Sequence, residues 1–141
     1  MDPVALLAFN GGLQVFVSSL LGTFMLVPLQ PWGKRLAARV NMKSLLATHL
    51  DWLMLGFMQW GAAFMMSKWP ETASQSTAWL LVFGGWTNAS PYLLRGFGIN
   101  AFVLGGSWVQ RVAAGVAALS VAAILSAWGT LLLAMLPVLR R

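Results

Sequence analysis

The sequence contains no cysteine, a single histidine and few charged side chains. The missing cysteine excludes disulfide bonds, thiolate metal ligands and a cysteine nucleophile, and it leaves the redox compartment open. Charged residues make up 9% of the chain, whereas ordinary soluble domains contain roughly 25%. Nine basic and three acidic side chains cannot coat the surface of a soluble domain of 141 residues. The scarcity of charge therefore argues against a soluble globular protein.

Apolar side chains fill the space that charged ones leave. Hydrophobic residues make up 59% of the chain, the mean hydropathy is +0.75, and there are eight tryptophans and a net charge of +6. This composition is typical of an integral membrane protein whose basic loops face an anionic leaflet. We expect a lipid bilayer around the protein and no nucleic-acid partner.

Four apolar runs are long enough to cross a hydrocarbon core, which takes about 20 helical residues. They cover residues 5–29, 45–66, 77–95 and 111–136. The sequence thus predicts an all-α, integral membrane four-helix bundle that forms one transmembrane domain over residues 1–141. The first run lacks the basic segment that begins a signal peptide, so we expect it to be a mature helix of a multi-pass protein in the cell (inner) membrane.

Basic residues are distributed unequally between the predicted loops. Loop one, over residues 30–44, contains four of them and two more flank loop three, against three on the other side. The first group is Lys34, Arg35, Arg39, Lys43, Arg95 and Arg111, and the second is Lys68, Arg140 and Arg141. The positive-inside rule then predicts that loops one and three are cytoplasmic.

Two predicted helices contain stripes of small or polar residues at i+4 spacing. The last helix has Ala114, Ala118, Ala122, Ser126 and Thr130, and the first has Asn10, Gln14, Ser18 and Gly22. Small residues let helix backbones approach closely, which predicts a packing seam in the bundle interior or at a subunit interface. The polar stripe predicts interhelical hydrogen bonds, with a ligand cavity as the alternative. Four short helices enclose little volume, so we expect a homo-oligomer with a ligand site between protomers.

Polar groups inside a membrane span suggest function because they cost free energy there. The second helix has His49, Asp51 and Gln59, and the third has Asn88, Tyr92 and Arg95. His49, Trp52, Gly56 and Gln59 share one helix face by spacing, and so do Asn88, Tyr92 and Arg95. The two helices are antiparallel, which predicts one layer near loops one and three, with His49 across from Asn88 and Tyr92. Pro91 interrupts the third helix there, as irregular backbone beside a cavity would.

The histidine allows several interpretations. A neutral imidazole at His49 is a good ligand for haem iron, and a hydrogen bond to a neighbouring carbonyl is the alternative. A zinc or non-haem iron site needs three or four protein ligands, and the layer offers only His49 and Asp51. A Ser-His-Asp triad is disfavoured because His49 and Asp51 lie about 200° apart around a helix. We expect Asp51 to pair with Arg95, with a proton relay or a snorkelling arginine as alternatives.

Two segments together carry a resemblance to a known family. They are Thr-His-Leu-Asp-Trp-Leu-Met-Leu-Gly over residues 48–56 and Gly-Trp-Thr-Asn-Ala-Ser-Pro-Tyr over residues 85–92. The pair resembles the membrane family of styrene oxide isomerase and hydroxylaminobenzene mutase, whose members are small four-helix membrane proteins. In the isomerase, a histidine near the start of the second helix precedes a glycine by seven residues, and the third helix carries Gly-Trp-x-Asn-x-x-x-Tyr.

The resemblance implies a cofactor and a set of site residues. His49 would be the axial ligand of haem b iron between the protomers of a trimer. We expect Trp52 and Trp86 to lie beside the cofactor, although Trp52 has no counterpart in the family. Asn88 and Tyr92 would be the catalytic residues at the open iron face. The implied reaction is Lewis-acid catalysis, in which a 1,2-hydride shift converts a small aryl epoxide into an aldehyde.

The predicted substrate pocket consists of Leu55, Phe57, Met58 and Asp51, and aromatic and methionine side chains suit an aryl substrate. The isomerase has an asparagine where this chain has Leu55, which leaves an arylhydroxylamine mutase as an alternative. A non-enzymatic haem-binding membrane protein, or a small transporter or channel, is the alternative from another class. A transporter is expected to contain an internal repeat, and the sequence has none.

Overall fold

The structure is a computed structural model that describes residues 1–103 and 105–140. Over these residues it is all-helical and contains no strand. The helices are α1 (Pro3–Phe24), α2 (Lys34–Ala37), α3 (Met42–Lys68), α4 (Gln75–Thr87), α5 (Ser90–Gly96) and α6 (Trp108–Met135). Single 3₁₀ turns cover Val27–Leu29, Pro31–Gly33, Pro70–Thr72 and Val138–Arg140.

Capping residues set where the long helices begin. The Asp2 carboxylate accepts from the first amides of α1, the Asn41 side chain does the same for α3, and Ser107 forms a capping box with Gln110 at α6. Such side chains satisfy amides that have no partner within the helix. Each of these helices therefore starts two or three residues before the apolar run that predicts it.

The predicted third helix, over residues 77–95, is two helices. Pro91 has no backbone N–H to donate to the Thr87 carbonyl, and the Ser90 hydroxyl donates to that carbonyl instead at 2.7 Å. The helix breaks at Asn88 and Ala89, which leaves α4 with 13 residues and α5 with 7. The interruption at Pro91 is confirmed, whereas the prediction of one continuous helix is wrong.

Two helical stretches, Pro3–Leu29 and Trp108–Arg140, are long and apolar enough to cross a membrane. The 27 residues of α3 span about 40 Å, but they include Lys43, His49 and Asp51. The 13 residues of α4 span about 20 Å, less than the roughly 30 Å of a hydrocarbon core. Length and composition thus support membrane crossing for the first and last of the four predicted spans.

The helices pack around an apolar core, and α1 lies closely along α3. A Cβ atom at Gly11 would lie 2.8 Å from the Gly56 carbonyl oxygen, and one at Gly56 would lie 2.9 Å from the Gly11 carbonyl oxygen. Only glycine permits this backbone contact. The core beside it includes Leu7, Ala62, Met66, Leu81 and Leu131, contributed by α1, α3, α4 and α6.

The small-residue stripe of α6 faces mainly outward. Ala114 is buried, but Ala118, Ala122, Ser126 and Thr130 are exposed. A row at i+4 spacing drifts about 40° around the helix at each step, so it leaves the face on which it begins. The interior face of α6 is formed instead by Ser120, Ala123, Ala127 and Leu131. For four of the five stripe residues, the bundle interior is therefore the wrong alternative.

Candidate functional site

The polar stripe of α1 makes hydrogen bonds to α3 and α4, as its main interpretation predicts. The Gln14 side-chain amide donates to the Gly85 carbonyl, and Gln59 Nε2 donates to Gln14 Oε1 at 2.7 Å. Both glutamines are buried. The Trp86 indole N–H donates to Asn10 Oδ1 at 3.3 Å. This network joins three helices below the layer that contains His49.

His49 lies against α1, where Ser18 holds its ring. Nδ1 lies 2.8 Å from the Ser18 carbonyl oxygen and 3.0 Å from Ser18 Oγ. Ser18 Oγ donates its own hydrogen to the His49 carbonyl at 2.6 Å. Because a carbonyl can only accept, Nδ1 is the donor in this contact, and whenever the ring is neutral its lone pair lies on Nε2. The fold thus selects the tautomer in which Nε2 can act as a ligand.

Gly22 makes room for this ring one helical turn after Ser18. A Cβ atom at Gly22 would lie 2.9 Å from His49 Cε1 and 3.5 Å from Nε2. The first distance is shorter than side-chain contacts allow, so a larger residue would displace the imidazole. α1 therefore supplies both the hydrogen-bond acceptor and the clearance that orient His49.

Trp52 and Trp86 contact each other at the interface of α3 and α4. Their ring centroids lie 5.9 Å apart with an interplanar angle of 65°, an edge-to-face arrangement. The Trp52 indole N–H donates to the Trp86 carbonyl at 3.2 Å. The structure therefore brings together the two tryptophans predicted beside a cofactor and satisfies both indole N–H groups.

Asn88 links α3 to α6 at the break after α4. Its Nδ2 donates to Asp51 Oδ2 at 2.9 Å, and its Oδ1 lies 3.4 Å from Ser120 Oγ. Ser120 makes a shorter bond to the Ala117 carbonyl, at 2.7 Å. The amide of Asn88 is thus fixed chiefly by the Asp51 carboxylate.

The expected ion pair between Asp51 and Arg95 is not formed. The Asn41 backbone N–H donates to the Gly96 carbonyl at 2.8 Å, which places Arg95 level with the start of α3. Asp51 lies ten residues further along that helix, or about 15 Å deeper. The Arg95 guanidinium carbon lies 5.8 Å from the centroid of the Phe102 ring instead. The alternative of an arginine that extends toward the membrane surface fits this position.

A cavity of about 420 Å³ lies between α5, the segment after it and α6. Asn88, Tyr92 and Phe102 line one side, and Ala118 and Val121 are part of the α6 side. The Tyr92 and Phe102 rings pack edge-to-face with centroids 4.8 Å apart. The cavity offers an amide and a phenol on an otherwise apolar wall, at a size that suits a small aromatic ligand.

Within one chain, His49 does not face this cavity. The cavity lining contains Asn88 and Tyr92 without His49, which faces α1. Asn88 donates to Asp51, which lies about 200° around α3 from His49. His49 and the Asn88–Tyr92 side of the predicted layer therefore lie at a similar depth but on different sides of α3.

The other residues of the predicted substrate pocket do not lie together in the structure. Leu55 is buried and lies outside that lining, and Phe57 is exposed and packs on the Trp60 ring. Met58 is half-buried. The sequence did not predict that Phe102 is part of the site, because its glycine-rich segment carries no periodic pattern. It also did not predict that Ser18 and Gly22 contact His49, although the polar stripe of α1 contains both.

No family model matches the chain, and a search of curated proteins finds none that matches it.

Proposed function

We propose that the chain is a haem-dependent membrane isomerase that acts on a small aryl epoxide, built as a four-helix transmembrane bundle. The observation that carries the proposal is the tautomer of His49. Nδ1 donates to the Ser18 carbonyl and leaves the Nε2 lone pair available. Histidines that ligate metals characteristically donate their other ring N–H to a carbonyl or carboxylate in this way, which fixes the ring orientation.

The residues present fit haem b. Haem iron needs a single protein ligand in addition to its porphyrin, and His49 would be that ligand. Among the described residues, no three His, Asp, Glu or Cys side chains lie together as a metal held by side chains alone would require. Trp52, three residues after His49 on α3, packs on Trp86 of α4, and the two rings provide apolar surface. When bound, ferric haem supplies the Lewis acid that promotes a 1,2-hydride shift from epoxide to aldehyde.

The chain itself contributes binding, orientation and exclusion of water. The Tyr92 hydroxyl would donate a hydrogen bond to the substrate oxygen at the cavity wall. Asn88 has its side chain held by Asp51 and would orient the substrate from a fixed position. The Phe102 ring, packed on Tyr92, provides an apolar surface for the aryl group.

The site that we propose forms between copies of the chain. The His49 side and the Asn88–Tyr92 cavity face different directions, so one copy would present His49 to the cavity of the next. Contacts between two different faces form a ring when the rotation between copies closes, and a ring of three copies would be the trimer implied by the family resemblance. The outward small residues Ala118 and Ala122 on α6 let another helix approach next to the cavity. In the cell membrane, loops one and three would be cytoplasmic.

The test is the absorption spectrum of the protein purified in mild detergent. We expect a Soret band that disappears in His49→Ala. Ser18→Ala is the matched control, because it removes the hydroxyl but keeps the carbonyl that binds Nδ1, and it should retain the band. A colourless, folded oligomer whose behaviour does not change in His49→Ala would refute the proposal.

An arylhydroxylamine mutase is the second candidate, and the observation that favours it is Leu55. This buried, apolar residue stands where the isomerase has an asparagine. A mutase would use the same residues with a different migrating group. Incubation with styrene oxide and with phenylhydroxylamine separates the two activities, and turnover of neither by a haem-loaded protein would indicate a non-enzymatic haem-binding protein.

A further inference from the structure

Loops one and three join at one end of the molecule, and basic side chains gather there. The bond from the Asn41 backbone N–H to the Gly96 carbonyl fastens the end of loop one to the end of α5. A cleft of about 600 Å³ lies at this junction, with Arg39 on one side and Arg95 on the other. Arg95 also lines a smaller adjacent cavity of about 170 Å³ with Lys43. Three cationic groups thus surround Asn41.

The acidic residues of the chain lie elsewhere. Asp2 caps the opposite end of α1, and Glu71 follows the opposite end of α3. Asp51 lies about 15 Å below the cleft and accepts from Asn88. Arg39 and Arg95 are exposed, so their guanidinium groups are accessible to a ligand from outside the chain.

The geometry of the cleft suits a tetrahedral anion. A guanidinium group presents a planar fork of N–H donors that binds two phosphate oxygens at once. The Phe102 ring lies 5.8 Å from the Arg95 guanidinium carbon and helps to hold it in place. The positive end of the α3 dipole begins at Asn41, in the same cleft, and adds to the potential.

We propose that this cleft binds a phosphate group, carried by the headgroup of an anionic phospholipid. The proposal rests on the membrane location stated under the proposed function, but not on haem. The cleft lies at the end of the molecule where α1 ends and α6 begins, and these two helices are long and apolar enough to cross a membrane. Lipid headgroups are found at the ends of such helices. Phe97, exposed between the lining residues Gly96 and Gly98, provides apolar surface for an acyl chain, and so does Leu46, exposed about one turn into α3.

The test is native mass spectrometry of the full chain in a neutral maltoside detergent. The protein is titrated with phosphatidylglycerol, with phosphatidylcholine for comparison, and separately with inorganic phosphate. We expect preferential binding of phosphatidylglycerol that weakens roughly fivefold in Arg39→Gln and in Arg95→Gln. Arg111→Gln is the matched control, since it removes the same charge at the same end of the molecule but outside the cleft lining, and it should change the affinity less than about twofold.

The possible outcomes separate the ligand sources. If phosphatidylglycerol binding weakens in Arg39→Gln and Arg95→Gln but not in Arg111→Gln, the result supports binding of the lipid headgroup in the cleft. Binding of inorganic phosphate with the same dependence on Arg39 and Arg95, and without a preference for the lipid, supports the phosphate site and assigns it to a soluble ligand. The proposed site would be wrong if Arg111→Gln weakened phosphatidylglycerol binding as much as the two cleft variants do, or if no variant weakened it.

Two further variants keep the result interpretable. Arg39→Lys keeps the charge and should retain more affinity than Arg39→Gln, which distinguishes loss of charge from loss of fold. His49→Ala should bind phosphatidylglycerol as the unmodified protein does. A failure of the haem proposal would therefore appear in the Soret band and leave lipid binding unchanged.

Discussion

His49 takes its chemical character from the backbone of a neighbouring helix. The Ser18 carbonyl accepts from Nδ1 at 2.8 Å, and Gly22 leaves the space in which the ring lies. The periodicity of α1 predicts that these two positions share a face, and the isolated histidine stands out in the sequence. Their contact could not be predicted, because it depends on how far α1 and α3 slide along each other.

At Gly22, we expect an added methyl group to disturb the ring. In Gly22→Ala, the new Cβ would lie 2.9 Å from His49 Cε1, so the imidazole must move away from the Ser18 carbonyl. Haem affinity should fall roughly tenfold, as it does when the outer hydrogen bond of a metal ligand is lost. The measurement is haem titration followed at the Soret band. Gly61→Ala, whose Cβ would meet no atom within 4 Å, should leave the affinity unchanged.

The buried pair of Gln14 and Gln59 allows a prediction about stability. Gln14→Met leaves both the Gly85 carbonyl and Gln59 Nε2 without a partner, and we expect a loss of about 1–3 kcal/mol in the free energy of unfolding. Gln59→Met should cost less, because it also removes a buried Oε1 atom that has no partner in the described structure. Chemical denaturation in detergent measures both, and a larger loss in Gln59→Met would contradict this assignment.

At the scale of elements, the break between α4 and α5 positions the cavity. Pro91 ends the helix so that Asn88 binds Asp51 while Tyr92 packs on Phe102. Proline alone predicts an interruption at this position, but not that it divides the span into two helices. The sequence does not predict the direction of α5, since this depends on the hydrogen bond that ties Gly96 to Asn41.

We expect Pro91→Ala to join the two helices. The restored N–H would donate to the Thr87 carbonyl, displace the Ser90 hydroxyl and turn Tyr92 away from Phe102. Turnover of styrene oxide should fall by up to about 100-fold, because misplacement of about 1 Å is costly to catalysis, while the Soret band stays. Pro70→Ala, in a turn at the other end of the molecule, is the control. Equal losses in both variants would assign the effect to general destabilisation.

The helices themselves were predictable to different degrees. Apolar length identifies all four predicted runs, but capping residues set where α1, α3 and α6 begin. The i+4 stripe of α6 was ambiguous because such a row winds around the helix. Only the packing of Ser120 and Ala127 against the interior shows which face of α6 is turned inward.

At the scale of the whole molecule, the proposed site requires a second copy, and this can be tested by complementation. His49→Ala and Tyr92→Phe should each be poorly active alone. Co-expressed, they should recover activity, because about one quarter of randomly formed interfaces would pair an intact His49 with an intact Tyr92. The readout is epoxide turnover by the co-purified mixture.

The control for this experiment is His49→Ala co-expressed with the double variant His49→Ala/Tyr92→Phe. No interface in that mixture contains an intact His49, so no recovery is expected. If the first mixture also fails to recover while both proteins assemble, the site lies within one chain and the arrangement between copies is wrong.

The contact between Gly11 and Gly56 affects the order in which the protein forms during synthesis. This backbone contact between α1 and α3 involves no residue after Lys68. N-terminal segments emerge from the ribosome first and can fold before the rest. The hairpin of α1 and α3 contains Ser18, Gly22 and His49, whereas the cavity needs α5 and α6. His49 and the two α1 residues that orient it can therefore come together before α5 and α6, which line the cavity, have emerged.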